Sequence, residues 1–377
     1  MTTIDIDGPT PLLGGLSPRQ FMRRHWQKKP LLVRRALPVD APLVSRARLF
    51  ELAARAGVES RVVVHDRNGW QLRHGPLPRR ALPPLKQPRW SLLVQGLDLH
   101  LDAAHQLLQR FRFVPDARLD DVMVSYASDG GGVGPHVDSY DVFLLQIRGR
   151  RRWRIGRIGQ PVLQPGAALK ILANFKPEQE WLLEPGDMLY LPPRWAHDGV
   201  AEGECMTCSI GFRAAGRDEL ARAVLQRLLD AGEHRDGDGI YRDAGQDATD
   251  RPAHLPQSLL GFAETAVART LREPGWLERA LGEVLSEPKA TVWFDPGSRL
   301  RRGAGVRLDR RTRMLYDRLH VFINGESLRA GGRDATLMRR LADRRAIDGR
   351  EVAMLGPDAR ELLGQWAEAG WLHAEDE

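Results

Sequence analysis

The sequence contains little cysteine. Its 377 residues include two cysteines, Cys205 and Cys208, which are too few for a framework of disulfide bonds. Their Cys-x-x-Cys spacing could indicate zinc, but no second pair is present to complete a tetrahedral site, and residues three apart on a strand face opposite sides. We therefore interpret both as small buried residues.

Long hydrophobic runs are also missing. No run approaches the roughly 18 consecutive apolar residues that a transmembrane helix needs. The first ten residues, MTTIDIDGPT, have neither the basic start nor the apolar core of a secretory signal. We expect a cytoplasmic protein that makes no membrane contact.

Strand-like segments separated by glycine- and proline-containing turns dominate residues 121–212, which predicts a small antiparallel barrel with a ligand site at one mouth. Helical signals precede it, beginning with Ser17-Pro18, where serine caps the helix and proline occupies its first turn. Asn68-Gly69 predicts a hairpin between Arg61–His65 and Trp70–His74. The chain is long enough for two or three domains.

The stretch GGGVGPHVDSYDVFLLQIRGRRRW, residues 130–153, carries the strongest chemical signal. Its His136 and Asp138 are two positions apart on an extended segment, so both side chains point to the same face and can reach one ion. His197, which follows the rigid Pro192-Pro193 corner, is the best candidate for a third ligand. Two histidines and one carboxylate form the facial triad of non-haem Fe(II) oxygenases. The alternative is a hydrogen-bonded surface turn, since short motifs often match by chance.

Arg151 lies 15 positions after His136 (151 − 136 = 15), at the start of a strand predicted over Arg152–Ile155, after a turn at Arg148-Gly149-Arg150. A dicarboxylate that chelates iron through one end needs a cation at its other end, and a guanidinium offers a planar, permanently charged partner. The alternative is that Arg151 is one more exposed residue of an arginine run.

Together, GGGVGPHVDSYDVFLLQIRGRRRWRIG, GDMLYLPPRWAHDG and CSIGFRA resemble the JmjC subfamily of cupin-fold 2-oxoglutarate oxygenases. They are most similar to bacterial ribosomal oxygenases that hydroxylate an arginine of a large-subunit ribosomal protein. The resemblance implies a mixed α and β fold, in which a double-stranded β-helix (cupin/JmjC) barrel precedes a helical bundle and a winged-helix-like C-terminal domain. It covers nearly the whole chain.

The resemblance also implies roles for individual residues. His136, Asp138 and His197 would hold Fe(II), and Arg151 would bind the distal carboxylate of 2-oxoglutarate, where many relatives carry lysine. Two serines on neighbouring strands are expected to hydrogen-bond near the cosubstrate, although each could instead fill a small position inside the barrel: Ser125 and Ser209.

An arginine substrate favours a pocket with a carboxylate and an apolar or aromatic wall. Guided by the family, we assign this role to Asp121, Met123 and Tyr140, which flank the expected iron ligands in sequence. Asp121 could equally cap a strand end, and Tyr140 could be a core aromatic. A histidine-directed ribosomal oxygenase is a related alternative, and a non-catalytic cupin sensor with a nucleic-acid-binding C-terminal domain is another.

We divide the chain into a catalytic domain (residues 1–214), a helical domain (215–288) and a winged-helix-like domain (289–377). In the second, helices are predicted after Arg217 and over Leu259–Arg272 and Gly275–Ser286, with a polar interruption from Glu233 to Asp250. This bundle either caps the barrel or forms a homodimer, and the resemblance favours the dimer.

The third domain is predicted from strands at Thr291–Phe294 and His320–Ile323, a turn at Asn324-Gly325, and helices near Ala335–Arg344 and Pro357–Ala369. Between residues 299 and 345 the chain has 14 arginines against five acidic residues, a balance of +9 (14 − 5). Such a patch typically marks a polyanion partner, here ribosomal RNA or the ribosome. A solvated arginine-rich face or a protein-interaction module is the alternative.

Overall fold

The computed structural model describes residues 4–38, 43–232, 240–243, 248, 251, 253–272, 274–301 and 303–375. The chain divides into two compact units. The first comprises Met1–Ala214 with Ala290–Asp295 and Asp309–Arg311, and the second comprises Ala215–Lys289, Pro296–Leu308 and Thr312–Glu377. The three-domain division made from the sequence stays a prediction.

The first unit is a barrel with a helical layer. Its helices are α1 (Pro18–Arg24), α2 (Arg46–Ala53) and α3 (Asp102–Gln109). Its strands, in chain order, are β1 (Leu31–Val33), β2 (Ser60–Asp66), β3 (Gly69–His74), β4 (Trp90–Val94), β5 (Leu119–Ala127), β6 (His136–Val137), β7 (Val142–Arg157), β8 (Gln179–Leu183), β9 (Met188–Leu191) and β10 (Trp195–Phe212).

These ten strands form one sheet, in the order β1-β9-β7-β10-β5-β4-β2-β3, with β6 added to β10 and β8 added to β7. The pairings recorded for them are antiparallel. The two longest strands, β7 and β10, pair along most of their length and connect the two ends of the sheet. The chain thereby forms the antiparallel barrel that the sequence predicts.

The two sides of β7 bury different apolar clusters. Phe143 and Leu145 pack in a large core that includes the aromatic residues of the helical layer, such as Phe21. Val142 and Leu144 point to the other side and pack in a smaller cluster. Because successive side chains of a strand face opposite sides, the strand is apolar on both faces here and is buried between the two clusters.

Two local predictions near the N-terminus are confirmed. Helix α1 starts with a capping box, in which the Ser17 side chain accepts from the Gln20 backbone N–H and the Gln20 side chain accepts from the Ser17 backbone N–H. Strands β2 and β3 form the predicted hairpin, which closes with the pair Asp66 and Gly69. Gly69 has φ +91°, a conformation that favours glycine.

Two other predictions are wrong. The turn expected at Arg148-Gly149-Arg150 does not reverse the chain, because β7 continues through it with an irregular register against β10. The strand expected at Thr291–Phe294 is also not formed. Its alternating pattern suits a strand, but no neighbouring segment of the described chain pairs with it, and a strand needs a partner for its backbone groups.

The second unit begins with helices α4 (Arg217–Gly232), α5 (Gln257–Arg272) and α6 (Trp276–Ser286). These agree with the predicted helices. The polar segment Glu233 to Asp250 lies outside the described residues apart from 240–243 and 248.

The remaining elements of this unit are β11 (Gly305–Leu308), β12 (Met314–Tyr316), β13 (His320–Ile323), β14 (Glu326–Arg329), α7 (Gly332–Arg344), β15 (Ala346–Ile347), α8 (Gly349–Ala353), α9 (Pro357–Glu368) and β16 (Leu372–Glu375). The strands form two three-stranded sheets, ordered β15-β11-β16 and β12-β13-β14, around one apolar core. Asn324-Gly325 makes the predicted turn between β13 and β14.

Candidate active site

The three predicted metal ligands lie together in the barrel. His136 on β6 and His197 on β10 are directly opposite each other in antiparallel register, and Asp138 follows the end of β6. One ligand atom from each side chain lies within 4.8 Å of the other two. The Nε2 atom of His197 is 3.6 Å from Oδ2 of Asp138. Two imidazole nitrogens and a carboxylate oxygen at this spacing can bind one ion and leave its other positions open.

Local backbone features bring these side chains together. The corner after β9 ends at Arg194, which has φ +66° and whose N–H donates to the carbonyl of Asp138 at 3.2 Å. On the other side, Gly134 has φ +75°, and a Cβ there would lie 2.7 Å from Cδ1 of Ile171 and 2.9 Å from Cζ2 of Trp70. Glycine is therefore required at 134 by both conformation and space.

Hydrogen bonds fix which nitrogen of each histidine faces the metal position. Nδ1 of His136 is 2.9 Å from the Gly134 carbonyl, and Nδ1 of His197 is 3.0 Å from the Trp195 carbonyl. A carbonyl oxygen can only accept, so each Nδ1 carries the proton and donates it. Nε2 is then the nitrogen of each ring that can offer a lone pair to a metal ion, as in other histidine ligands.

His197 is buried, with 3% of its side chain exposed. This burial has the largest effect on the pKa of His197 and the nearby His136 the second largest. Together they lower this pKa to about 4, although the charge of Asp138 opposes them. The imidazole is therefore neutral at physiological pH, which is the protonation state that a metal ligand requires.

Arg151 is also inside the barrel and is 5% exposed. Its Nη1 atom donates to Oγ of Ser125 at 3.2 Å, and its guanidinium carbon lies 5.7 Å from the ring centre of Trp153. The other two nitrogens, Nε and Nη2, are buried without a hydrogen-bond partner among the described residues. A buried cation with two unsatisfied donors fits an anionic ligand, because such groups are costly to leave unpaired.

Arg151 and the metal ligands share one face of the sheet. Across β7 and β10, Arg151 pairs with Ala201 and Ile155 pairs with His197. Cross-strand partners project to the same side, and residues two apart on a strand do so as well. Between them, Trp153 lies 5.8 Å from the His197 ring, measured between ring centres. One indole thus contacts both the cation and the candidate metal site.

The two predicted cosubstrate serines differ in their contacts. Ser125 on β5 pairs with Thr207 on β10 and holds Arg151 through its hydroxyl. Ser209 is 7% exposed and lies two residues further along β10, on the same face as Thr207. The structure thus brings both serines to the face that carries Arg151, with a direct contact for Ser125.

The three predicted substrate residues differ in how deeply they are buried. Asp121 is 7% exposed, and its Oδ2 atom accepts the Gly96 backbone N–H at 3.1 Å, which is a structural role. Met123 is half-buried on β5, opposite Ser209. Tyr140 is 39% exposed. Partial burial, followed by the charges of Asp138 and Asp121, raises the pKa of the Tyr140 phenol above its usual value. At this exposure Tyr140 is not a core aromatic, which was the alternative to its assignment to the substrate pocket.

Two buried polar residues were not predicted from the sequence. Asp141, three positions after Asp138, is fully buried and accepts hydrogen bonds from Tyr190 Oη at 2.6 Å and Gln27 Nε2 at 3.1 Å. Gln146 is fully buried on β7. The sequence did offer a signal for Gln146, which is the one amide within the apolar run FLLQI. A polar side chain buried in such a run needs hydrogen-bond partners, and this suggests a specific role.

The comparisons with known proteins agree with this geometry. The profile of the JmjC domain matches residues 106–220, and that of the ROXA-like winged helix matches residues 269–373. The chain is 37% identical over 282 residues to the ribosomal protein uL16 3-hydroxylase of Escherichia coli K12, covering 73% of each protein. The chain belongs to the JmjC-type ribosomal oxygenases.

Other ribosomal oxygenases show the same relationship. A probable ribosomal oxygenase of Haemophilus influenzae is 38% identical over 227 residues, which cover 59% of this chain and 55% of that protein. The structure of the E. coli ribosomal oxygenase YcfD in complex with cobalt and 2-oxoglutarate superposes with a TM-score of 0.80 at 30% identity, covering 96% of this chain and 99% of that one. The predicted JmjC barrel and winged-helix domain are thus confirmed. Within the described residues of this ribosomal oxygenase, no helix has the length and apolar character to span a bilayer.

Proposed function

We propose that this protein is an Fe(II)- and 2-oxoglutarate-dependent hydroxylase that modifies an arginine side chain of a large-subunit ribosomal protein. The observation that carries the proposal is the position of Arg151. A buried guanidinium with two unpartnered N–H groups shares one barrel face with a two-histidine, one-carboxylate cluster. A generic metal-binding cupin has no need for such a cation, which is why a non-catalytic sensor is disfavoured.

His136, Asp138 and His197 would hold the iron, and their nitrogen and oxygen donors fit Fe(II). Arg151, steadied by Ser125, would pair with the distal carboxylate of 2-oxoglutarate. When bound, Fe(II) and 2-oxoglutarate activate dioxygen, so that a substrate C–H bond gains one oxygen atom while 2-oxoglutarate becomes succinate and CO₂.

The protein's own contribution is orientation and the exclusion of water. The backbone carbonyls of Gly134 and Trp195 hold the two imidazoles in the ligand tautomer. Trp153, buried beside both Arg151 and His197, keeps the space between them apolar. A low-polarity environment strengthens the pairing between a guanidinium and a carboxylate.

An arginine substrate is supported by the negative charge near the metal ligands. Burial raises the pKa of the Tyr140 phenol most, and the charges of Asp138, Asp121 and Asp120 raise it further, while Arg61 opposes them. Three carboxylates against one cation thus surround the phenol. Half-exposed Tyr140 and Met123 offer an aromatic and an apolar surface for the guanidinium and its methylene groups. The relationship to a uL16 hydroxylase supports a ribosomal protein as the substrate.

Mass spectrometry of reaction products tests this proposal. The protein is incubated with Fe(II), 2-oxoglutarate and a peptide series from large-subunit ribosomal proteins, beginning with uL16. We expect succinate release coupled to the addition of one oxygen atom on an arginine, with no product from the His136→Ala variant. Addition to a histidine would instead establish the histidine-directed alternative. Absence of any hydroxylation with intact uL16 and ribosomes would contradict the substrate class.

We also propose a homodimer that forms through the helices of the second unit. These helices expose more apolar surface than a monomer requires, and large exposed apolar patches typically mark interaction sites. The residues concerned are 48–68% exposed and comprise Leu225, Leu229, Val267, Leu271 and Leu277.

A contact with ribosomal RNA through the arginine-rich segment remains a prediction, and ion pairs reduce the charge available for it. Arg340 and Arg344 both pair with Glu351. Arg345 is 7% exposed and donates to the Thr312 carbonyl. Exposed arginines that retain access to solvent include Arg318, Arg329 and Arg333.

A further inference from the structure

Of the three consecutive arginines on β7, the middle one enters the barrel. Arg151 is 5% exposed, whereas Arg150 is exposed and the side chain of Arg152 is 42% exposed. Regular alternation from the inward-facing Leu144 would place residues 146, 148, 150 and 152 inside and Arg151 outside. Something between Leu144 and Arg151 therefore changes which face the side chains occupy.

That change is a bulge in β7. Val142 and Leu144 belong to the same buried cluster as Trp153 and Ile155, so the inward positions change from even to odd numbers along the strand. The register shows where this happens: Thr207 on β10 pairs with Gln146, and the next residue, Met206, pairs with Arg148. One extra residue on β7 is accommodated there, as in a β-bulge.

The side chain of Gln146 bonds to this bulge directly. Its Nε2 donates to the carbonyls of Arg148 at 2.8 Å and Gly149 at 3.2 Å. Its Oε1 accepts from Oγ1 of Thr207 at 2.8 Å. Since both carbonyls can only accept, the amide has one orientation that satisfies all three bonds.

The backbone beyond the bulge is fixed from the opposite side. Gly149 has φ +62°, and a Cβ at this position would be 2.2 Å from the carbonyl oxygen of Glu204. Residue 149 is thus confined between the Gln146 amide and the β10 backbone. Arg151 follows two residues later, so the direction of its side chain depends on this path.

We propose that Gln146, oriented by Thr207, is a positioning residue that directs Arg151 toward the distal carboxylate of 2-oxoglutarate. This inference rests on the proposed role of Arg151 as the cosubstrate anchor. Gln146 acts through the bulge carbonyls, and bulges are known to redirect side chains next to active sites. Its loss should weaken 2-oxoglutarate binding and leave the three metal ligands in place, because these lie on β6, β10 and the loop after β6.

The test compares Gln146→Met, which keeps the length of the side chain but removes its hydrogen bonds, with the wild type. Calorimetric titration measures 2-oxoglutarate binding to the Co(II)-loaded protein and, separately, Co(II) binding to the metal-free protein. We expect 2-oxoglutarate affinity to fall about tenfold, a size that corresponds to one or two ordinary hydrogen bonds. Co(II) affinity should stay within about twofold of the wild type, the usual limit of additivity error.

Three further variants make the result specific. Thr207→Val should cause a smaller loss of 2-oxoglutarate affinity, and it carries the same test if Gln146→Met does not fold. Ser128→Ala is the matched control, since it removes buried hydrogen bonds to the Trp90 backbone in the same barrel and should leave 2-oxoglutarate affinity unchanged. The double variant Gln146→Met/Arg151→Ala should bind 2-oxoglutarate no more weakly than Arg151→Ala alone, because Gln146 acts through Arg151.

The outcomes separate this inference from the proposed function. If Arg151→Ala weakens 2-oxoglutarate binding but Gln146→Met does not, the positioning role is overturned and the anchor stands. Additive losses in the double variant, or an equal loss of Co(II) affinity, would also overturn it, since Gln146 would then act elsewhere or on the barrel as a whole. If Arg151→Ala binds 2-oxoglutarate normally, both the anchor and the inference fail.

Discussion

Replacement of Arg151 by alanine separates a 2-oxoglutarate oxygenase from a generic metal-binding cupin. The guanidinium is 5% exposed, and two of its nitrogens have no partner among the described residues. A bound carboxylate would satisfy them with charge-assisted hydrogen bonds. Loss of such a contact typically costs about 2–5 kcal/mol. We therefore expect the affinity for 2-oxoglutarate to fall roughly 30-fold or more.

The same variant should have a different effect on the ligand-free protein. Nε and Nη2 of Arg151 are buried without partners among the described residues, and such donors destabilise a fold by about 1–3 kcal/mol each. Arg151→Ala removes both, so it should not lower the unfolding free energy by much. A ligand present at 100 times its Kd stabilises the native state by about 2.7 kcal/mol. With affinity reduced 30-fold, the same concentration is roughly three times Kd, and the stabilisation falls to about 0.8 kcal/mol. The variant should thus lose most of its thermal response to 2-oxoglutarate and keep its basal Tm.

Calorimetric titration of 2-oxoglutarate into the Co(II)-loaded protein measures the affinity, and thermal unfolding with and without ligand measures the stabilisation. Arg150→Ala is the matched control, because it removes the same charge from the adjacent exposed position. Arg151→Lys should fall between wild type and alanine, since an ammonium keeps the charge but loses the planar fork. Unchanged affinity in Arg151→Ala, or an equal loss in Arg150→Ala, would refute the anchor.

Three other predictions follow from the structure. Alanine at His136, Asp138 or His197 should abolish Fe(II)-dependent succinate release while circular dichroism stays unchanged, and near-wild-type turnover would remove that residue from the ligand set. Burial lowers the pKa of His197 from 6.5 to about 4. As the pH falls between these two values, His197 is protonated in the unfolded state but not in the folded state. The metal-free protein should therefore lose about 3 kcal/mol of unfolding free energy over this pH range. Urea unfolding should show this loss in the wild type but not in His197→Gln, and equal pH dependence would contradict it. Light scattering should show a dimer that Val267→Glu weakens, whereas a monomeric wild type at micromolar concentration would exclude the dimer.

Features that depend on neighbouring residues were predictable from the sequence. Ser17, Pro18 and Gln20 specify the start of α1 because their side chains and backbone satisfy each other within one turn. Asn68-Gly69 specifies the β2–β3 hairpin because glycine accepts the positive φ that the connection requires. The His-x-Asp motif likewise indicated a shared ligand face, since two residues on one strand need no distant partner to point the same way.

The convergence of His197 with His136 and Asp138 depends on the antiparallel pairing of β6 with β10. The position of His197 after the proline corner suggested this role, but His197 lies 61 positions after His136 (197 − 136 = 61). Resemblance to known oxygenases supplied what local patterns could not. The strand predicted at Thr291–Phe294 is not formed for the opposite reason. Its local pattern suits a strand, but no segment of the described chain pairs with it.

The orientation of Arg151 was decided by tertiary structure alone. The resemblance to known oxygenases singled out Arg151, but simple alternation along β7 predicts instead that Arg150 and Arg152 face inward. The choice depends on one extra residue opposite Thr207 and Met206, stabilised by the Gln146 amide. A sequence determines which side chains a strand carries, but the partner strand determines its register, and a shift of one residue exchanges its two faces.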